Sequence, residues 1–310
     1  MSRENAKTLA CAIETGEEGM QLGTYLRQRM GFTRAQIRSV KFRQNGLRVN
    51  GERARVTRVL KTGDLLEVLL EDPAAGASAL REDYGRLDVL YEDEDVLAVW
   101  KEAGLVIHPS HGHYSDSLSN RVHTYFAGRK ETVRVRSIGR LDKDTSGIVV
   151  FAKNQIAAAR LWKQKEEGTF WKEYLAVCEG RMFPGKPDGT EDGKWSTWHT
   201  VDTPIRAAAG EKMKMCAAED GQRAVTHYQV LCTGKKRTFL RVRIETGRTH
   251  QIRVHMASIG YPVAGDVIYG RADAAQEGSA AENLCLYAWK TRFCQPFTGE
   301  AIEIAAAAKF

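Results

Sequence analysis

No apolar run in this chain approaches the roughly 18 residues that a membrane-crossing helix needs, so a helical membrane protein is excluded. The first residues, Met1-Ser2-Arg3-Glu4-Asn5, lack the apolar centre of a secretory leader. Cysteine is present but unorganised: Cys11, Cys178, Cys216, Cys232, Cys285 and Cys294 are scattered, with no CxxC pair. Neither a disulfide frame nor a zinc ribbon is expected from that spacing, and reduced thiols in a cytoplasmic protein are. Internal repeats and long low-complexity segments are missing too, which argues against a solenoid. Acid is scarce in one place. Between Arg27 and Lys61 there are eleven Lys or Arg and a single acid, Glu52.

What is present begins with that basic segment. The whole chain carries a formal charge of +7 and a pI near 9.0, which favours a polyanionic partner without distinguishing RNA from DNA or an acidic surface. Leu22, Leu26 and Met30 are spaced for one helix face, and Thr33 is placed to cap a second helix with Arg34, Ile37, Arg38, Val40 and Lys41. Gln44-Asn45-Gly46 signals a turn, Leu47 and Val49 alternate with Arg48, and Asn50-Gly51 is a hairpin turn. Leu65, Val68 and Leu70 close a small β unit. Like charges repel, so so large a local excess of cations points to an anionic ligand. The reading assigns RNA contacts to Arg27, Arg34, Arg38, Lys41, Arg43 and Arg48.

Residues 73–83 have linker composition, so a small α+β RNA-binding domain over 1–72 and a catalytic domain over 84–310 are expected. In the larger part, Leu87–Tyr91 and Val96–Trp100 read as strands joined by an acidic turn. Gln155–Glu166 reads as a helix, and Phe170–Val177 and Phe239–Ile244 as strands. There is no regular βαβ rhythm. The expected class is α+β, with a mainly antiparallel mixed sheet.

Two motifs carry the chemistry. Gly139-Arg140-Leu141-Asp142-Lys143-Asp144-Thr145-Ser146-Gly147 puts a carboxylate between cations at the mouth of the apolar strand Ile148–Ala152. Taken alone, it reads first as a turn that caps a strand. Thr246-Gly247-Arg248-Thr249-His250-Gln251-Ile252-Arg253-Val254-His255 follows a strand and opens a helix, with Thr249 as its expected cap and Ile252, Met256 and Ile259 as its apolar face. A solvated polar side holding Arg253 and the histidines is an even alternative. Asp142 and Asp144 are two residues apart, and in an extended loop they would point to opposite sides, unlike the paired acids of a glycoside hydrolase. His108, His111 and His113 lack an acidic or Cys ligand nearby, so no metal is expected.

Together, Arg140-Leu141-Asp142 with Thr145-Ser146-Gly147, then Lys172-Glu173-Tyr174, then Thr246 to Arg253 resemble the ordered motifs of the RluA/RluD-type pseudouridine synthases. Gly104–Pro109, Gly265–Gly270 and Pro296–Glu300 are similar to further strings of that family, and the match runs from Leu87 to Glu303. The basic N-terminal unit resembles the S4-like RNA-binding domain that often precedes it. The chain departs from the pattern at Gly139 and Glu102, where the family often has His and Pro. The resemblance implies isomerisation of uridine within RNA, with no cofactor and no metal. It implies Asp142 as the catalytic carboxylate, Arg248 as its ionic partner, and Tyr174 as the aromatic against the target base. It further implies that Arg140 displaces the target from its stack, and Arg253 is counted among the RNA contacts. Structured RNA is the expected partner, ribosomal RNA before transfer RNA, for a monomer not bound to a membrane. A non-catalytic RNA-binding factor and a base-releasing nucleosidase are the alternatives from other classes.

Overall fold

The structure, a computed structural model, describes residues 8–43, 45–70, 80–110, 112–131, 133–134, 136–182, 197–211, 213–270 and 283–307. Its elements in chain order are β1 (Thr8–Ala12), α1 (Leu22–Gln28), α2 (Arg34–Lys41), β2 (Leu47–Val49), β3 (Glu52–Arg53), β4 (Leu65–Leu69), β5 (Asp88–Glu92), β6 (Val96–Lys101), α3 (Leu118–Gly128), β7 (Arg136–Ser137), β8 (Ser146–Ala152), α4 (Gln155–Glu166), β9 (Trp171–Glu179), β10 (His199–Asp202), β11 (Ile205–Ala207), β12 (Met215–Ala217), β13 (Val225–Thr233), β14 (Arg237–Ile244), α5 (Gln251–Ser258), β15 (Leu286–Cys294) and β16 (Ala301–Ala305).

The basic segment folds as a small unit. Its sheet has the order β1-β4-β2-β3, and β1 is a strand that the sequence patterning did not reveal. Thr33 caps α2 by accepting from the Gln36 amide. Asn50 and Gly51 both take positive φ at the tip of the β2–β3 hairpin, as its two-residue turn requires. Leu22, Leu26, Phe32, Leu47, Val49, Leu66 and Val68 form its core, although Met30 lies beyond the end of α1. Ile156 of α4 enters that core, so the small unit packs on the large one. Arg160 fixes the contact. Its guanidinium donates to the Met30 carbonyl at 2.7 Å and to the Pro296 carbonyl at 2.7 Å, and it lies 4.7 Å from the centre of the Phe297 ring.

Most of the expected linker lies outside the described residues. Its last residues belong to the larger unit, since Asn120 donates to the Arg81 carbonyl and Arg121 pairs with Asp83. The larger unit is built on a sheet of order β10-β13-β14-β9-β15-β8-β6-β5, with β16 beside β15 and β7 beside β8. Its pairings are antiparallel except for β15 with β8. This is the α+β, mainly antiparallel architecture expected. β8 is buried along its whole length because both faces are covered. Val149 and Phe151 join the cluster containing α3 and α5, while Ile148 and Val150 join the one under α4. The parallel pairing puts Gly147 against Ala288. A Cβ on Gly147 would sit 2.5 Å from the Ala288 backbone, and its φ of +133° also demands glycine.

Candidate active site

Asp142 stands on a tight turn, with the Thr145 amide donating to its carbonyl at 3.2 Å. The loop is therefore not the extended segment expected, and the argument that Asp142 and Asp144 face opposite ways does not hold for it. Leu141 and Thr145 are buried on either side, whereas Asp142 and Asp144 are half-buried and Arg140 and Lys143 exposed. The turn is held from below by Lys101, a fully buried residue at the end of β6. Its Nζ donates to the carbonyls of Lys143 at 2.7 Å, Leu105 at 2.6 Å and Glu102 at 3.0 Å. Burial pulls the Lys101 pKa down to about 7, against the opposing pull of Asp144 and then Asp142. Patterning did not single out Lys101. The available signal was a lysine ending an otherwise apolar strand, Val96–Trp100, where a charge must find partners.

Tyr174 is buried within β9, between Val242 of β14 and Ala288 of β15. Burial first, and then Asp142, raises its pKa, so the phenol stays neutral. Asp142 also lies within electrostatic reach of His250, Arg253 and Tyr269. His250 and Arg253 come from the junction of β14 with α5, and Tyr269 from the segment after α5. Gln251 binds that junction together: its side chain accepts from the Arg248 amide at 3.0 Å and donates to the Val225 carbonyl at 2.9 Å. His250, rather than Thr249, is the cap, in a left-handed conformation with φ 55°. Its ring lies 2.9 Å from the Tyr269 hydroxyl, and burial keeps its pKa below the ordinary histidine value.

The fold places the two arginines of this motif in opposite environments. Arg248 is exposed and donates through Nε to the Arg223 carbonyl at 3.0 Å, and among the described residues no ion pair joins it to Asp142. Arg253 is 2% exposed, which removes it from any RNA-contacting surface. Its Nε and NH2 donate to the two oxygens of Asp266, each at 2.7 Å, and its guanidinium lies 5.2 Å from the centre of the Tyr269 ring. Asp266 is also held by the amides of Ile268 and Tyr269. Burial opposes the charge on both partners, yet their mutual bonds prevail: the Arg253 pKa rises and that of Asp266 falls. Of the two arginines, Arg253 is therefore the buried one within electrostatic reach of Asp142. α5 has no solvated side over its first six residues, because every residue from Gln251 to Met256 is buried, and only its end at Ser258 is exposed. His255 bonds Thr226 and the Thr203 carbonyl within that interior.

The remaining sequence candidates fall into groups. Arg27, Arg34 and Arg38 are exposed on the small unit, and Lys41 and Arg43 are half-buried there. Arg48 is occupied by its own hairpin, donating to the Gly51 carbonyl at 2.7 Å and lying 3.8 Å from Glu67. Arg140 is exposed beside Asp142, close enough to bias His108 and His250. His108 sits between the hydroxyls of Ser137 and Ser119, and His113 bonds Asp116 at 2.6 Å. His111 lies outside the described residues.

With this geometry in view, the relatives are informative. Residues 95–258 match the RNA pseudouridylate synthase family. The chain is 34% identical over 279 residues to the RNA pseudouridine synthase YjbO of Bacillus subtilis, covering 89% of this chain and 92% of that protein. It is 35% identical over 269 residues to ribosomal large subunit pseudouridine synthase D of Xanthomonas campestris, covering 83% and 76%. A solved structure of human RNA pseudouridylate synthase domain containing 1 shares the fold, with a TM-score of 0.57 at 24% identity over 72% of this chain and 83% of that one. Asp142, Tyr174 and the buried Arg253 all lie within the matched region, and the chain belongs to the RNA pseudouridylate synthase family, in its RluA/RluD type.

Proposed function

We propose that the protein isomerises uridine to pseudouridine in structured RNA, with large-subunit ribosomal RNA as substrate, acting as a cytoplasmic monomer. The observation that carries the reading is the Asp142 turn, clamped by Lys101 and facing the neutral Tyr174. In the proposed reaction the bond from ribose carbon one to uracil nitrogen breaks and the base turns in place. Its carbon five then bonds to the ribose and gives up its proton. Asp142 acts on the ribose, Tyr174 lies against the base, and the Arg253 guanidinium, fixed by Asp266, orients Asp142. Arg140 enters the space from which the nucleotide is extruded. The small basic unit serves as an S4-like RNA-binding domain that contributes phosphate contacts through Arg27, Arg34 and Arg38. Ribosomal RNA is favoured because relatives named for the large ribosomal subunit match most of the chain.

The test is release of tritium from carbon five of uridine in unmodified ribosomal and transfer RNA. Wild type is expected to release label from ribosomal RNA without free uracil. Asp142→Asn should release none while keeping its salt-sensitive RNA affinity. Free uracil would instead identify a nucleosidase, and binding without release a non-catalytic factor.

A further inference from the structure

The last turn of α4 presents an aromatic and a cation that the catalytic reading leaves unused. Trp162 is 43% exposed, a large apolar surface to leave in water. The Lys165 ammonium lies 4.8 Å from the centre of the Trp162 ring. Lys163 nearby is taken by Glu167 at 3.6 Å, but among the described residues no carboxylate pairs with Lys165. On its other side Lys165 reaches the loop of Asp142. Its Nζ is 2.8 Å from where a Cβ on Gly139 would sit, and Gly139 precedes Arg140 directly. Burial lowers the Lys165 pKa although the residue remains exposed overall. Lys172 is within electrostatic reach, its own pKa brought down to about 7 by burial and then by Lys165. It donates to the Ile148 carbonyl at 2.8 Å and, among the described residues, also has no carboxylate partner.

The Lys165 ammonium therefore borders the loop of Arg140 and Asp142, and among the described residues no acid neutralises it. An anion is favoured beside that unpaired charge, and the exposed indole of Trp162 suits a flat ring. A nucleotide supplies both. Extrusion of a target base also disturbs the stacking of its neighbours, which then need a surface. We propose that Trp162 and Lys165 form a subsite for one unpaired nucleotide adjacent to the target, its base on the indole and its phosphate on the ammonium. The proposal rests on the RNA-modifying reading above.

The probe is fluorescein-labelled dodecauridylate, titrated into the full chain and followed by anisotropy at several salt concentrations. Lys165→Gln is expected to weaken binding about fivefold and to reduce the slope of log affinity against log salt by about 0.7, the share of one phosphate on a single strand. Trp162→Ala should weaken binding about tenfold with the slope unchanged, and Trp162→Phe should keep most of the affinity. Thermal midpoints equal to wild type show that neither change acts through folding. Wild-type affinity and slope in both variants, or failure of the wild type to bind the probe, would overturn the subsite. Tritium release from ribosomal RNA is followed in parallel. An inactive wild type defeats the isomerase reading while the affinity comparison still decides the subsite.

Discussion

Arg253 and Asp266 show how a charge survives inside this protein. Each is nearly or fully buried, and each satisfies the other through two parallel bonds of 2.7 Å. Removing one partner strands the other, so Asp266→Asn should cost about 3–5 kcal/mol in urea unfolding at neutral pH. The pair also sets an acid limit. The folded pKa of Asp266 is below its ordinary value of 3.8, so its contribution is complete above that value and is lost as pH falls through the folded one. The unfolding free energy of Asp266→Asn should accordingly depend less steeply on pH below about 4 than that of wild type. None of this was legible at the level of single residues. Arg248 and Arg253 are chemically identical in the string, and only the left-handed turn at His250 sends one outward and one inward.

At the scale of elements, the site depends on two joints. One is the parallel contact of β8 with β15, where Gly147 has no room for a side chain. Gly147→Ala should destabilise by about 3 kcal/mol in chemical denaturation, through overpacking and backbone strain together. The other is the Lys101 clamp between the end of β6 and the Asp142 turn. Lys101→Met removes a shared donor from the Glu102, Leu105 and Lys143 carbonyls, leaves the Lys143 carbonyl only the Gly104 amide, and frees the turn. Its kcat for pseudouridine formation is expected to fall about 100-fold, the effect of a displacement near 1 Å at a reacting group. Continuous apolar runs made β8 readable, and the spacing of Ile156 and Leu161 among alanines made α4 readable. α5 was misread for a physical reason. Periodicity locates an apolar face, but it cannot say that the opposite face is buried against polar partners such as Asp266 and Thr226.

For the molecule as a whole, α4 is the connecting part. Ile156 and Arg160 hold the basic unit, while Lys165 touches the loop that bears Asp142. Arg160→Ala should loosen that attachment, giving a larger radius of gyration by solution scattering and a raised KM for structured RNA. An unchanged radius would mean that the apolar contact of Ile156 suffices alone. Composition and local pattern were enough for the basic unit, the α+β class and the core strands, because burial alternation, caps and turn residues act over a few neighbours, whereas Asp142 and Tyr174 stood out only through the resemblance of their motifs to a family. The partner of Asp266, the clamp by Lys101, the choice between two arginines and the docking of the two units were decided only by folding. Each depends on residues far apart in the chain whose charges must find one another once water is excluded.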